Sequence, residues 1–346
     1  MHIVHSAILD NAFDHGTRAP LQCSRSIAGA SAIERSPLAG GDRGGQLAHR
    51  GYAMNDVEVI DMRLRPAVPS LTKSVLYQGG ESAAIGKTLH PDFPRAPSTR
   101  ERSIERLIEE MDAANVVTGS VPGRHSMEPF GVVSNEEISA LAVRYPGRFV
   151  GWMGLDLRDN PDRWIAAIRA WAGRPGIVGV SIEPAISLEP DIGRADDRRL
   201  YPIYEECVKQ RIPVSITLSA LLQRMTGRPY ELSDPKPIYR VAVDFPSLDI
   251  VVAHGAYPWV NDMLGVAFVC TNVWVSPDIY MTPQWPGARE YALAANDILQ
   301  DRVLYGSNYP ARPFPQHIAA YRSWGWKDGV IEKVLSRNAR RLMSLE

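Results

Sequence analysis

The sequence predicts an α/β chain folded as a (β/α)8 TIM barrel. Eight short β-branched runs recur between Val57 and Tyr305, segments of helical periodicity separate them, and no GxGxxG loop follows the first run. Such alternation argues for βα units and a parallel sheet, and eight consecutive units are what barrel closure requires. A doubly wound open sheet also alternates. It usually has fewer consecutive units, and its dinucleotide-binding form carries a glycine-rich first turn that is missing here.

The first strand is expected at Val57–Met62, before a long loop containing Pro66, Pro69, Pro91, Pro94 and Pro97. Thr99–Ala114 then reads as one amphipathic helix, because Ile104, Leu107, Ile108 and Met111 recur at three- and four-residue steps. Strand two is Val116–Val121, and its helix starts at Ser134, where Glu137 three residues on completes a capping signature. Strand three, Phe149–Leu155, leads to a helix over Asp162–Trp171, and strand four, Ile177–Ile182, to one over Leu200–Lys209. Strand five is Val214–Leu218; after a longer loop, a helix beginning near Pro237 leads to strand six, Asp249–Ala253. A helix around Val260–Phe268 precedes strand seven, Val273–Ser276, and a helix over Ala288–Asp297 precedes strand eight, Arg302–Tyr305. Helices around Gln316–Arg322 and Gly329–Met343 finish the chain.

Residues 1–53 differ from the rest, being rich in Gly, Ser, Ala and Arg with weak periodicity. Such composition rarely supports a core, so this segment reads as a disordered or weakly ordered N-terminal extension, and 54–346 as the barrel domain. The alternative is an ordered arm packed on the barrel. Met54 stands just before the first strand, which suggests an upstream extension of the coding sequence.

Bulk properties exclude several classes of function. Of 346 residues, 45% are hydrophobic and 22% charged, and 38 basic against 39 acidic side chains leave a formal charge of -1, so no nucleic-acid or membrane-surface binder is expected. Cys23, Cys207 and Cys270 are widely spaced, form no CxxC pair and fit a reducing cytoplasm. No apolar run approaches the roughly 18 residues that span a bilayer, and no basic segment followed by an apolar core marks a secretory signal.

Catalytic groups of a βα barrel come from the C-terminal ends of its strands. Those positions give Arg63 and Arg65, Arg124, Glu183, Thr217 with Ser219, His254, Asp278 and Asn308. Rival chemistries find little support. Ser215, Ser219 and Ser307 sit in no GxSxG elbow, Cys207 and Cys270 fall on helices or their ends, and Lys209 and Lys236 lie away from strand ends.

Four segments in order carry a resemblance: Val59-Ile60-Asp61-Met62-Arg63-Leu64-Arg65-Pro66, Ser134-Asn135-Glu136-Glu137 with Tyr145-Pro146-Gly147-Arg148-Phe149, His254-Gly255 with Pro258-Trp259, and Asp301–Pro310. From Val57 to about Leu342 the chain resembles the amidohydrolase-related family, a group of metal-dependent decarboxylases, hydratases and lactonases acting on small carboxylated or aromatic substrates. The resemblance also implies a homodimer, although the sequence itself shows no clear interface.

The departures from that pattern say most. Both histidines of the family's opening His-x-His pair are arginines here, Arg63 and Arg65, and a protonated guanidinium offers no lone pair to a cation. The closing aspartate is Asn308, the strand-five histidine has no counterpart in Ser215–Ser219, and only His254 survives. A catalytic zinc needs three or more protein ligands, so no metal and no cofactor are expected. Guanidinium charge would stand in the metal's place, binding carboxylates and stabilising a developing oxyanion.

In this reading His254 is the general acid or base, with Glu183 and Asp278 as alternative bases or as partners that orient it and the arginines. Arg63, Arg65 and Arg124 hold a small anionic substrate, and Asn308, Tyr257 and Tyr309 donate hydrogen bonds to it. The competing reading makes the arginines structural ion pairs with Glu183, Asp278 or Asp61, and the tyrosines packing residues. The expected function is a metal-independent hydrolase acting on a small carboxylated or cyclic substrate. A decarboxylating or hydrating lyase, or a non-catalytic ligand-binding barrel, is the alternative.

Overall fold

The computed structural model describes residues 57–78 and 95–345. The expectations for residues 1–53 and for the Pro91 and Pro94 part of the long loop lie outside the described residues.

Strands β1 (Val59–Asp61), β2 (Val116–Pro122), β3 (Phe149–Gly154), β4 (Ile177–Ile182), β5 (Val214–Ser219), β6 (Ile250–Tyr257) and β7 (Val273–Ser276) form one sheet in chain order. Every neighbouring pair is parallel. The expected eighth strand, Arg302–Tyr305, is not a regular strand, yet it occupies the eighth position. Val275 donates its N–H to the Arg302 carbonyl at 2.9 Å, Leu304 donates to the Val275 carbonyl at 2.9 Å, and Met62, just past β1, donates to the Tyr305 carbonyl at 3.0 Å. The Tyr305 N–H goes instead to the Val334 carbonyl at 3.0 Å, so the ladder ends before it becomes regular. The ring closes all the same.

Strands β1, β3, β6 and β7 alternate between two buried clusters, as a two-residue side-chain period requires. Val59, Val116, Val180, Val214, Ile216 and Val273 join the helices in the larger cluster. Ile60, Val150, Trp152, Val251, Trp274 and Leu304 form a separate one with Leu342 and Met343 of the last helix, and this fills the barrel interior.

The helices follow their caps. Ser134 accepts from the Glu137 N–H at 3.3 Å and starts the helix Asn135–Arg144, but the Glu137 carboxylate turns to Ser70, taking its N–H at 2.8 Å. The helix expected over Thr99–Ala114 is two helices, Pro97–Glu101 and Ile104–Ala113. Arg102 at φ 52° breaks the first, and Ser103 caps the second by accepting from the Arg106 N–H at 3.0 Å. The last helix likewise contains a π turn at Lys333–Arg337 between Val330–Glu332 and Asn338–Met343. Elements that were not expected include a short helix Val75–Gln78 in the long loop, a two-stranded ribbon of Arg124–His125 with Val132–Val133, and a helix over Ala220–Thr226 directly after β5. Among the described residues, no helix is long and apolar enough to cross a membrane.

Candidate active site

The backbone at the C-terminal ends of the strands departs from regular geometry where the side chains of interest sit. Thr217 pairs with Ala253, but the next partner of β6 is Ser219 against Tyr257, so β6 carries the extra residues of a bulge. His254, Gly255 and Ala256 in that bulge have φ of 65°, 57° and 56°, and Asp278 and Asn308 at the next two strand ends have 54° and 57°. Non-glycine residues avoid this left-handed region at a cost of about 1–3 kcal/mol each, and such strain gathers at functional sites. The bulge carries β6 on to Tyr257, beyond its expected end at Ala253.

Asp278 fixes His254 from two directions. Its Oδ2 accepts the His254 backbone N–H at 3.1 Å and stands 2.9 Å from the imidazole Nδ1, although the latter contact is too bent to be a straight hydrogen bond. Ser276 donates its hydroxyl to the other oxygen, Oδ1, at 2.5 Å. Gly306 makes room for this carboxylate, since a Cβ there would lie 2.3 Å from Asp278 Oδ1. The proximity of a carboxylate favours the proton on Nδ1 and leaves the Nε2 lone pair free.

On the opposite side, Glu183 is the hub of a buried ion-pair lattice. Its Oε1 accepts from Arg124 Nη2 at 2.9 Å and from Arg63 Nη2 at 3.2 Å, and its Oε2 accepts from the Ser126 hydroxyl. Arg63 Nη2 also donates to Thr217 Oγ1 at 3.2 Å, and its Nε lies 3.8 Å from Asp278 Oδ2. Asp61 anchors the chain behind Arg63, accepting the backbone N–H of Arg63 at 3.0 Å and of Ser307 at 2.8 Å. Arg65, only two residues from Arg63 and equally buried at 2% exposure, is placed differently. It donates Nη1 to the Asn308 side-chain oxygen, its Nε has no acceptor, and no carboxylate lies within ion-pair distance of it among the described residues.

A cavity opens between these two groups. Its floor is Arg65, Arg124, His254, Asn308, Ser219 and Tyr280; its other wall is apolar, with Leu76, Phe130, Leu221, Leu222, Met225 and Ile279. The free space is about 30 Å³, enough for water but not for an aromatic ring.

Burial and charge set the protonation states. Burial, and then the Arg63 guanidinium, lower His254 to about 4 despite Asp278, so the imidazole is neutral near pH 7. Burial alone would raise Glu183, but the Arg124 and Arg63 guanidiniums together hold it at about 2. Asp278 is lowered too, its neighbours His254, Arg63 and Ser276 outweighing burial. Asp61 goes the other way, pushed by burial to about 6 against its Ser307 and Arg63 hydrogen bonds.

The donor set does not fit a divalent metal. A guanidinium, which cannot ligate, lies between Glu183, Thr217 and Asp278, and a further guanidinium is bound to Asn308. Among the described residues, no three of His, Cys, Asp and Glu converge on a common point. The usual ligand chemistry of three or more imidazole, thiolate or carboxylate groups is missing from this cluster.

Of the side chains singled out from the sequence, Arg63, Arg65, Arg124, Glu183, His254, Asp278 and Asn308 converge at one mouth. Two tyrosines, Tyr257 and Tyr309, expected beside them as substrate ligands, do not line this cavity. Tyr309 turns its hydroxyl to Ser98, Thr99 and Glu110 and stacks on Phe314, because the Ser307 hydroxyl takes its backbone N–H at 2.9 Å and directs the chain outward. Tyr257 lies flat on Tyr280, with ring centroids 4.3 Å apart, and borders a separate groove with Tyr230 and Trp259. Tyr280, unforeseen from the sequence, holds the place on the cavity side and shares a 2.7 Å hydrogen bond with Ser219. Glu183 is engaged by two arginines, the arrangement expected of a partner that orients them. The helix Ala220–Thr226 also went unseen, although Leu221, Leu222 and Met225 carry a helical spacing that could have found it.

The comparisons with known proteins agree with this architecture. An amidohydrolase family model matches residues 60–345. No curated protein matches the chain. Among solved structures, an uncharacterized TIM-barrel protein from Bordetella bronchiseptica is 33% identical, covers 83% of this chain and 98% of its own, and superposes with a TM-score of 0.75. A 5-carboxyvanillate decarboxylase from Novosphingobium aromaticivorans, solved with manganese and 4-hydroxy-3-methoxy-5-nitrobenzoic acid, is 18% identical over 84% of this chain and 97% of its own, with a TM-score of 0.59. A probable 2-pyrone-4,6-dicarboxylic acid hydrolase from Acinetobacter baumannii, solved with citric acid, is 15% identical over 83% of this chain and 100% of its own, with a TM-score of 0.56. With four-fifths of its length matched by one family model and its barrel shared with these structures, the chain belongs to the amidohydrolase family.

Proposed function

We propose that this amidohydrolase-family enzyme is a metal-independent hydrolase of small carboxylated esters or amides, including cyclic ones, with His254 as its general base. The observation that carries the reading is the His254 imidazole on the wall of an arginine-lined cavity, its Nδ1 2.9 Å from Asp278 Oδ2, where burial favours its neutral form. A neutral imidazole can take a proton at Nε2 but has none there to give, which favours activating water over protonating a carbanion. That distinction favours hydrolysis over decarboxylation.

In the forward step Nε2 removes a proton from water, and the oxygen adds to the substrate carbonyl carbon. The carbonyl electron pair moves to oxygen, where the Arg124 guanidinium at the cavity wall stabilises the charge. When the pair returns, the bond to the leaving oxygen or nitrogen breaks, and the imidazolium gives that atom the proton it took. Asp278 stabilises the imidazolium in between. Arg63, bonded through Nη2 to Glu183 and Thr217, supplies the fixed positive charge that a cation gives elsewhere in the family.

The test is a panel of lactones, amides and aryl carboxylates with product identification, run beside elemental analysis of the purified protein. Hydrolysis products without stoichiometric metal are expected. Stoichiometric zinc or manganese required for turnover would sink the metal-independent mechanism, and release of carbon dioxide would replace the hydrolase by a lyase.

A further inference from the structure

Two arginines line the cavity and a third, Arg63, stands behind it, and their charges are met unequally. Arg63 and Arg124 share the Glu183 carboxylate, and Arg63 also approaches Asp278. Arg65 lines the cavity at 2% exposure with the neutral Asn308 amide on Nη1 and, among the described residues, no carboxylate within ion-pair distance. A buried cation without a counter-charge is costly, and an anion delivered from solution removes that cost. Among the described residues that line the cavity Arg65 is the one such cation, so one carboxylate satisfies it. A second carboxylate on the same ligand would meet either Arg124, whose charge the buried Glu183 already offsets at 2.9 Å, or the apolar wall of Leu76, Phe130, Leu222 and Met225. A neutral ligand would leave Arg65 uncompensated.

Resting on the reading of this cavity as the substrate site, we propose that it selects a monocarboxylate with an apolar body, the carboxylate on Arg65 and the body against Phe130, Leu222 and Met225. The apolar side must give way as the ligand enters, because the free space is about 30 Å³. Leu221, Leu222 and Met225 belong to one short helix, Ala220–Thr226, which ends at Gly227 with φ 71°, so they move together. This selectivity excludes dicarboxylates of the size of the same body.

The experiment is calorimetric titration of the full chain with benzoate, phthalate and benzamide, which reads binding without turnover. Benzoate should bind at least about tenfold more tightly than either of the others. Arg65→Gln should weaken benzoate at least about tenfold, and so should Asn308→Asp, which places a carboxylate on Arg65 from within. Should Arg65→Gln not fold, Asn308→Asp carries the test, since an internal ion pair there supports folding. The proposal is overturned if benzoate does not bind at millimolar concentration, if phthalate or benzamide matches it, or if Asn308→Asp binds it unchanged. Selective benzoate binding by a protein that hydrolyses nothing would keep this inference and sink the hydrolase reading. Hydrolysis of neutral lactones without benzoate binding would do the reverse.

Discussion

Arg63 and Arg65 leave the same strand two residues apart and are buried to the same degree, yet the fold treats them in opposite ways. Arg63 meets Glu183, Thr217 and Asp278; Arg65 meets one side-chain amide. The difference teaches how to separate a structural charge from a functional one. A guanidinium whose counter-charge is supplied by the chain holds the mouth together as well as lending it charge, and under the proposal above one left without it takes its counter-charge from a ligand. Burial alone does not make the distinction, nor does position at a strand end.

The largest effect should come from breaking the satisfied side. Arg63→Met leaves Glu183 buried with one guanidinium instead of two, and removing one partner of a buried ion pair typically costs about 3–5 kcal/mol. Urea denaturation would measure it, and a loss below about 1 kcal/mol would show that the lattice does not hold the mouth together. His254→Gln should leave stability within about 1 kcal/mol but lower kcat by about 10²–10⁴ on a substrate found in the panel. An unchanged kcat would remove His254 from the chemistry.

The pH dependence sharpens the same contrast. Glu183 is held near 2 against an ordinary 4.5, so its stabilisation is present above pH 4.5 and is lost as pH falls towards 2. His254, lowered from 6.5 to about 4, likewise costs stability as pH falls through that interval, because only the unfolded imidazole then gains its proton. Asp61, raised from 3.8 to about 6, has the opposite sign: its contribution is present below 3.8 and is lost as pH rises to 6. Stability measured against pH should fall on the acid side, and in Arg63→Met the Glu183 part of that fall should move to higher pH. The acid limb of kcat should follow His254 in the enzyme–substrate complex, with activity gained as the imidazole loses its proton.

Smaller changes probe the supports. Gly306→Ala puts a methyl 2.3 Å from Asp278 Oδ1, and displacing that carboxylate should cost about 1–3 kcal/mol of stability with a matching loss of activity. Activity and thermal stability equal to the parent would mean that Asp278 can shift freely. The smallest effect is expected from Tyr257→Phe, which keeps the stack on Tyr280 and should stay within about 0.5 kcal/mol in stability, with kcat unchanged. A large loss of kcat would restore Tyr257 to the substrate site.

Much of the barrel was legible because βα alternation is a local pattern. The ends of β4 and β7 fall where the β-branched runs predicted them, and the Ser134 cap does too. The misses were places where a non-local bond overrides the local pattern. Arg302–Tyr305 stops short of being a strand because Val334 takes the Tyr305 N–H, and the reach of β6 to Tyr257 depends on a bulge paired with Ser219.

The site divides along the same line. Residue types at strand ends are sequence facts, so the presence of Arg63, Arg65 and Asn308 where the resemblance implies metal ligands was legible from the chain alone. Which arginine is neutralised, which tyrosine faces the cavity and which nitrogen of His254 meets a carboxylate depend on where Glu183, Tyr280 and Asp278 arrive from distant strands. Coulomb and hydrogen-bond energies fall off within a few ångströms, and only the closed barrel sets distances on that scale.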